Sequence, residues 1–300
     1  MYDIIVVGGG PAGMTAALYA LRANKTVLVI EKNGFGGQIT YSPKVENYPG
    51  RIQMSGNEFA DDLLEQILAQ GAEVELENVV NVIDEGETKR VVTEEGSEFT
   101  CRAVILATGA KHRMLGLPGE AELVGSGISF CAVCDGAFYA GKHVAVIGGG
   151  NSALQEANLL AETSGKVTVL QNLAFFTGEQ RLQDSLLARP NVEVIFSAAV
   201  TGFLQENGEL TGLTYRTEGG AEQTLTVDGV FVAIGLAPDN GNFASLAQLD
   251  NYGYFASGED CRTATPGIFV AGDCRAKLVR QVTTAVADGA VAALAAIEME

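Results

Sequence analysis

The sequence predicts an α/β protein made of two Rossmann-like, three-layer dinucleotide-binding domains. Two observations support this fold class. One is an internal repeat at an offset of 140 residues, and the other is a composition of 47% hydrophobic residues with 37 glycines. Glycine-rich chains that are also rich in Val, Ile and Ala are typical of parallel sheets buried on both faces.

The repeat consists of two strand–turn–helix segments. Residues 5–13 match residues 145–153, and each segment has an apolar strand, a G-x-G-x-x-G/A turn and a helix, predicted over 14–23 and 154–163. In such a turn the glycines permit a tight bend and a close approach to a pyrophosphate, which the helix N-terminus attracts. The next strands, 27–31 and 167–171, also align, so each segment begins a βαβ unit.

The first copy has every feature of a dinucleotide site. Glu31 ends the second strand, where its carboxylate can accept hydrogen bonds from both hydroxyls of a ribose. The cofactor-binding residues predicted in this copy are Gly8, Gly10, Pro11, Ala12, Gly13, Glu31 and Lys32.

The second copy keeps the turn but changes the strand end. Gln171 stands where the first copy has Glu31, and residues 171–177 offer neither an acid for NAD nor an arginine for the NADP phosphate. Phe175 and Phe176 in this segment look exposed. The copy is either a retained fold without a nucleotide or an atypical site, and its residues would be Gly148, Gly150, Asn151, Ser152 and Ala153.

A Cys-x-x-Cys pair, Cys131 and Cys134, lies shortly before the second copy. Close to a dinucleotide-binding unit, such a pair indicates a redox-active dithiol, and the start of a helix lowers a thiol pKa. Asp135 follows directly and is placed to handle the thiol proton. We expect no metal site, because the other three cysteines and both histidines are isolated and zinc needs four grouped ligands.

Composition excludes other classes of function. A formal charge of −18 disfavours nucleic acid and anionic membranes as partners. No stretch approaches the roughly 20 apolar residues of a membrane span, and we expect no signal peptide, because the first predicted strand starts at residue 2. With five cysteines and one close pair, we expect a cytoplasmic protein.

Several motifs in the same order resemble low-molecular-weight thioredoxin reductases over essentially the whole chain. Besides the first turn and the Cys-x-x-Cys-Asp-Gly run, they are residues 36–39, 45–50, 107–110, 272–273, 280–282 and 287–289. The resemblance implies an FAD-binding domain of residues 1–111 and 243–300, with an inserted pyridine-nucleotide-like domain of residues 112–242 that carries the cysteine pair. It also implies a homodimer that reduces thioredoxin.

The same resemblance assigns further roles. Cys134 would lie against the flavin and attack thioredoxin, and Cys131 would resolve the mixed disulfide. The remaining flavin contacts that it implies are Gly37, Gln38, Asn47, Thr108, Gly109, Gly272, Asp273, Arg280, Gln281 and Val282. Arg275, Lys277 and Arg280 form a short basic cluster, interpreted as a solvated face or as a docking patch for an acidic electron carrier.

The chain departs from the family in the inserted domain. Members that use NADPH carry a His-Arg-Arg run and a further arginine where this chain has Gln171, Asn172, Leu173 and Thr177. In this respect it is similar to the subgroup fed by reduced ferredoxin or flavodoxin. We therefore predict a flavin-dependent thioredoxin reductase with a donor other than NADPH. The alternatives are an NAD(P)H-dependent reductase with atypical nucleotide recognition, an FAD dithiol oxidase that uses oxygen, and a non-enzymatic flavin redox sensor.

Overall fold

The computed structural model describes residues 1–42 and 45–299, apart from the side chains of Tyr41 and Cys134. The chain divides into two compact units. The first unit is Met1–Lys111 with Ala237–Glu300, and the second is His112–Leu236.

The described strands and helices follow one another in α/β order. The strands are β1 (Tyr2–Val7), β2 (Val27–Ile30), β3 (Glu73–Glu75), β4 (Val79–Asp84), β5 (Lys89–Thr93), β6 (Glu98–Leu106), β7 (Lys111–His112), β8 (Ile128–Ser129), β9 (His143–Ile147), β10 (Lys166–Leu170), β11 (Val192–Ile195), β12 (Ala198–Glu206), β13 (Glu209–Thr217), β14 (Glu222–Thr226), β15 (Gly229–Val232), β16 (Leu236–Ala237) and β17 (Ile268–Val270). The α-helices are α1 (Pro11–Arg22), α2 (Gly56–Ala69), α3 (Glu120–Leu123), α4 (Ala132–Asp135), α5 (Asn151–Thr163), α6 (Gln180–Leu187) and α7 (Val282–Ile297). Short 3₁₀ helices cover Gly37–Tyr41, Gly136–Tyr139, Gly241–Phe243 and Gly272–Cys274.

The first unit is built on a parallel sheet with the order β3-β2-β1-β6 and with β17 beside β6. The N-terminal part of β6 continues into an antiparallel meander with β5 and β4. Strand β1 is buried on both faces, as expected for a parallel sheet. Ile4 and Val6 pack towards α1, α2 and α7, whereas Ile5 and Val7 pack towards the meander and residues 243–255.

The second unit has a parallel sheet with the order β11-β10-β9-β15-β8. Helices α4, α5 and α6 cover one face, where Val144, Leu160 and Phe231 are fully buried. The antiparallel sheet β12-β13-β14 covers the other face and contributes Leu213 to its core. The two Rossmann-like three-layer units predicted from the repeat are therefore confirmed.

Both repeated helices begin directly at the turn, at Pro11 and Asn151, three residues before the predicted positions 14 and 154. Gly10 and Gly150 cap them with extended backbone. Proline is common at the first position of a helix because its missing N–H would have no intrahelical acceptor there. The earlier start brings the helix N-terminus to the glycine turn itself, where a phosphate would lie.

The two segments that link the units pair with each other as the two-stranded sheet β7-β16. The second boundary lies at Leu236–Ala237, nearer the N-terminus than residues 242–243, where the sequence had placed it. Asn240 explains this position. Its side-chain amide accepts a hydrogen bond from Thr108 Oγ1 at 2.9 Å and donates to the carbonyls of Gly253 and Cys274, which all belong to the first unit.

Candidate functional site

The first glycine turn is closed by steric contacts that only glycine allows. Gly8 has a φ of +112°, and a Cβ there would overlap the carbonyl oxygen of Ala107. A Cβ on Gly13 would overlap Gly8 O, so α1 can approach β1 only without it. At Gly10, by contrast, a Cβ would meet nothing closer than Gly36 O at 3.9 Å. Gly10 therefore faces a space that a pyrophosphate can enter, beside the unpaired first-turn amides of α1.

Glu31 lies at the end of β2 and is fixed from two sides. Its Oε2 accepts a hydrogen bond from Gly9 N at 2.7 Å, and Oε1 accepts one from Asn33 N at 3.0 Å. Each carboxylate oxygen keeps a further lone pair, which suits a ribose diol. Lys32 is exposed beside it.

Asp273 follows β17 in the 3₁₀ helix Gly272–Cys274. Its Oδ1 is buried and has no hydrogen-bond partner among the described residues. Burial raises the pKa of Asp273, while the charges of Lys277 and Arg280 oppose the rise. A buried polar atom without a partner is unusual in a folded protein and marks a place for a ligand donor, here a hydroxyl.

The basic cluster is not a solvated face or a docking patch, because two of its three members are buried. Arg275 is 3% exposed and binds both carboxylate oxygens of Asp288, each at 2.8 Å. The side chain of Lys277 is 7% exposed, and its Nζ lies 3.0 Å from Asp288 Oδ2 and 3.6 Å from Asp273 Oδ1. Asp288 also accepts a hydrogen bond from Gly272 N at 3.0 Å, so this network holds the turn that carries Asp273. No local sequence pattern indicates this network, because Asp288 lies 13 residues after Arg275 on α7.

Arg280, the third basic residue, stabilises the same turn. Its guanidinium lies over the Tyr254 ring at 4.0 Å from the centroid. It donates hydrogen bonds to the carbonyls of Asp273 and Arg275, both at 3.4 Å. Arg280 therefore positions the backbone around Asp273.

The remaining predicted flavin contacts of the first unit lie on the loops and helix ends around this turn. Asn47 Nδ2 donates to Gln281 Oε1 at 3.2 Å, which links their two loops. Val282 begins α7 and packs in a small cluster with Val45 and Met54. Gly37 and Gln38 begin the 3₁₀ helix Gly37–Tyr41, and Gly109 follows Thr108 with a φ of +67°.

Together these groups fit FAD. The open turn at Gly10 can receive the pyrophosphate, and the Glu31 carboxylate can receive a ribose. The Asp273 Oδ1, which accepts no hydrogen bond from the described residues although Lys277 Nζ lies 3.6 Å away, can accept one from a polyol such as the ribityl chain. The first unit thus has space for the pyrophosphate and acceptors for a ribose and for the polyol chain of such a cofactor.

The dithiol segment begins after β8, where Cys131 is disulfide-bonded. Cys134 lies in α4, a helix of four residues, and its side chain is outside the described part of the chain. Asp135 Oδ2 accepts a short hydrogen bond of 2.6 Å from Ser129 Oγ. Ser129 was not predicted from the sequence, although its place two residues before Cys131 is the signal that could have found it.

The other cysteines do not compete for this chemistry. Cys101, Cys261 and Cys274 are free and buried. Burial raises the pKa of the Cys101 and Cys261 thiols to about 12, so neither forms a thiolate near neutral pH.

The second glycine turn keeps the backbone of the first. Gly148 has a φ of +133°, and a Cβ there would overlap the carbonyl oxygen of Ala233. The strand end is different, because Gln171 is 4% exposed and its amide donates to Phe175 O at 3.0 Å. Its side chain also covers Gly149, where a Cβ would come within 2.5 Å of it. Gln171 thus closes its own loop and presents no carboxylate to a ribose.

The loop after β10 folds back onto the turn through neutral or acidic groups. Thr177 N donates to Gly149 O at 2.8 Å, and Asn151 exchanges two hydrogen bonds with Glu179, at 2.7 and 3.0 Å. Residues 171–180 contain no lysine or arginine. A 2′-phosphate would therefore find no cation on this segment.

Of the two phenylalanines predicted to be exposed, Phe175 is exposed and Phe176 is buried. Phe175 is 60% exposed, but Phe176 is buried and packs edge-on against Phe196 at 4.9 Å between ring centroids. The prediction was wrong for Phe176 because it anchors the loop in the core of the second unit. Ser152 is exposed on the first turn of α5, and Ala153 is fully buried beneath the turn.

No group of three or more His, Cys, Asp or Glu residues in the described ranges could hold a metal ion. Among residues 1–42 and 45–299, no helix combines the length and the apolar character that crossing a membrane requires.

Comparison with known proteins gives a consistent result. The family model for pyridine nucleotide-disulphide oxidoreductases matches residues 2–289. A thioredoxin reductase of Listeria monocytogenes is 41% identical over 97% of this chain and 92% of its own length. The crystal structure of Lactococcus lactis thioredoxin reductase is similar with a TM-score of 0.96 and 35% identity, over 99% of this chain and 98% of that one. That of the T. acidophilum thioredoxin reductase has a TM-score of 0.94 and 32% identity, with 99% and 98% covered.

Proposed function

The chain belongs to the pyridine nucleotide-disulphide oxidoreductase family and is a relative of its thioredoxin reductases, and from this premise we propose that it reduces thioredoxin with electrons from reduced ferredoxin or flavodoxin. Family membership makes it an oxidoreductase that binds FAD. The protein substrate and the electron donor are the proposed part.

The proposed donor rests on the position and hydrogen bonding of the Gln171 side chain. Where a ribose-binding acid would stand, its amide donates to Phe175 O and covers Gly149. With no lysine or arginine in residues 171–180, the loop after β10 lacks the usual partners of both NAD and NADP.

The first unit supports the flavin half of the proposal. Gly10 leaves room for a pyrophosphate, the Glu31 carboxylate held by Gly9 N could accept hydrogen bonds from ribose hydroxyls, and Asp273 Oδ1 is a buried acceptor for a ribityl chain. When bound, FAD supplies the conversion between one-electron donors and a two-electron disulfide reduction. The other proposed contacts are Pro11, Ala12, Gly13, Gln38, Asn47 and Gln281.

The second unit would carry the dithiol. Two reduced ferredoxins and two protons convert one disulfide into a dithiol, which reduces thioredoxin by exchange, so electrons and protons balance. In this scheme Cys134 attacks the thioredoxin disulfide, Cys131 resolves the mixed disulfide, and Asp135 moves the proton between sulfur atoms. From the similarity to thioredoxin reductases we also propose that the chain forms a homodimer and works in the cytoplasm, where thioredoxin is kept reduced.

A specific observation favours a second candidate, an NAD(P)H-dependent thioredoxin reductase. Gly148 keeps the strained backbone of a nucleotide-binding turn, and α5 begins immediately after it. A nucleotide could bind there through backbone amides alone. The non-enzymatic sensor is set aside because the family is one of enzymes. The oxygen-dependent dithiol oxidase differs from the proposal in passing no electrons to thioredoxin.

The test is turnover of thioredoxin disulfide by the FAD-loaded protein under anaerobic conditions, with reduced ferredoxin as the sole donor. We expect turnover by the wild type and a loss of at least about a thousandfold in Cys131→Ser and Cys134→Ser, because each removes one sulfur of the dithiol. FAD should stay bound to both variants. Cys101→Ala, which changes a buried free cysteine, is the matched control and should keep its activity. Thioredoxin reduction that persists in Cys134→Ser would overturn the dithiol mechanism.

A further inference from the structure

One buried hydroxyl joins the dithiol segment to the acid that follows it. Ser129 ends β8, two residues before Cys131, and is 4% exposed. Its Oγ accepts a hydrogen bond from Cys131 N at 3.0 Å and donates one to Asp135 Oδ2 at 2.6 Å. The strand end, the first cysteine and the acid are thus connected through a single atom.

The helix that carries the acid is short. Helix α4 has only four residues, and a helix of one turn is not stable by itself. Asp135 N donates to Cys131 O at 3.1 Å, which fixes its backbone but not its carboxylate. A short hydrogen bond from a hydroxyl to a carboxylate is among the strong ones in proteins, so Ser129 can select one orientation of the carboxylate.

We propose that Ser129 is a positioning residue for thiol–disulfide exchange, which holds the Asp135 carboxylate beside the dithiol while being held itself by Cys131 N–H. The inference rests on the proposed function, in which Asp135 moves the thiol proton. Nothing in the sequence pattern assigned a role to Ser129.

The step in which this matters is the resolution of the mixed disulfide with thioredoxin. The Cys131 thiol gives its proton to Asp135, and its sulfur attacks and forms the Cys131–Cys134 bond. The bond between Cys134 and the thioredoxin sulfur breaks, and that sulfur leaves with the electron pair and receives the proton from Asp135. Two electrons pass from the enzyme dithiol to the thioredoxin disulfide, and no other reactant is needed.

The experiment isolates this exchange from the choice of donor. FAD-loaded enzyme is reduced with dithionite, freed of the excess, and mixed anaerobically with thioredoxin disulfide at several concentrations. The variants are Ser129→Ala, Ser129→Thr, Asp135→Asn and the double variant Ser129→Ala/Asp135→Asn. Ser164→Ala is the matched control, because Ser164 is also buried in the second unit and its Oγ has no hydrogen-bond partner among the described residues.

We expect Ser129→Ala to lower the limiting exchange rate about tenfold, the loss of one charge-assisted hydrogen bond, with half-saturation by thioredoxin unchanged. Ser129→Thr keeps a hydroxyl and should stay within about threefold of the wild type. In the Asp135→Asn background the alanine substitution should have little further effect, since the two residues act together.

Three results would overturn the inference. They are an unchanged rate in Ser129→Ala, an equal loss in the presence and absence of the Asp135 carboxylate, and a threonine variant as slow as the alanine variant. If the chain does not reduce thioredoxin, the result looks different, because the dithionite-reduced wild-type enzyme would then leave thioredoxin disulfide unchanged.

Discussion

The two copies of the repeat differ most clearly at one residue. Glu31 and Gln171 each follow the second strand of their repeat copy, β2 or β10, and both side chains turn back towards the glycine turn. The Glu31 carboxylate accepts backbone hydrogen bonds and keeps free lone pairs, whereas the Gln171 amide donates to Phe175 O and lies against Gly149. With an amide in place of the acid, the side chain has no free carboxylate lone pairs and becomes a part of its own loop.

The mostly buried acid Glu156 gives a pH-dependent prediction at the scale of single residues. Glu156, on α5, has a buried Oε2 without a hydrogen-bond partner among the described residues, and burial raises its pKa to about 8. Between the ordinary pKa of glutamate and pH 8 the unfolded chain gives up this proton but the folded chain keeps it. The folded state then binds more protons, so stability falls as the pH rises through this range.

We therefore expect Glu156→Gln to remove a pH-dependent loss of stability. Between pH 5 and pH 9 the wild type should lose up to roughly 4 kcal/mol more of unfolding free energy than the variant. Denaturant unfolding of the holoprotein at pH 5, 7 and 9 measures it. Glu162→Gln, an exposed acid on the same helix, is the control and should follow the wild type. Parallel losses in the wild type and in Glu156→Gln would contradict the assignment.

Sequence patterns predicted residues whose role depends on local backbone and missed those whose role depends on distant contacts. The turn at Gly8 and the strand end at Glu31 are specified within a few residues, so a motif finds them. The ion pair of Arg275 with Asp288 and the hydrogen bond of Thr108 with Asn240 join residues that are 13 and 132 positions apart. A short basic run was therefore misinterpreted as a surface, although Arg275 and Lys277 are buried.

At the scale of elements, the first unit depends on the close packing of α1 against α7. Gly289 makes this possible, because a Cβ there would overlap Ala12 O and would come within 3.1 Å of Ala16 N. Both neighbours are backbone atoms, so no side-chain rotation can relieve the overlap. The contact joins the helix that carries the glycine turn to the helix that carries Asp288.

Gly289→Ala should therefore destabilise the first unit by about 2 kcal/mol, since the cost of overpacking exceeds the gain in helix propensity. FAD should also be released more readily, because the turn and the Asp273 loop would move apart. Denaturant unfolding and flavin fluorescence on release measure both effects. Gly241→Ala is the matched control, because a Cβ there would meet no atom within 4 Å. A Gly289→Ala protein as stable as the control would show that the helices can separate freely.

At the scale of the molecule, the repeat predicted the number and type of units, because each βαβ segment has its own hydrophobic period and turn. It did not predict the position of the second boundary. The antiparallel sheets, β4-β5-β6 in one unit and β12-β13-β14 in the other, carry no glycine-turn motif, and the pairing of β7 with β16 joins residues far apart in the chain. Asn240 then assigns residues 237–242 to the first unit through hydrogen bonds that no local pattern shows.

The two units share one βαβ plan and differ in the groups around their glycine turns. The first unit keeps a turn, an acid and a buried acceptor that fit FAD. The second keeps the turn but has Gln171 at the strand end and no lysine or arginine in residues 171–180, and it carries Cys131 and Cys134. We propose that electrons reach the flavin from a donor other than NAD(P)H.

The most direct measurement is the loss of flavin absorbance near its visible maximum when FAD-loaded protein is mixed anaerobically with NADPH, with NADH or with chemically reduced ferredoxin. We expect rapid bleaching by reduced ferredoxin and none by either nucleotide at millimolar concentration. Rapid bleaching by NADPH or NADH would contradict it, and would show that the turn at Gly148 binds a nucleotide without the acid or the arginines.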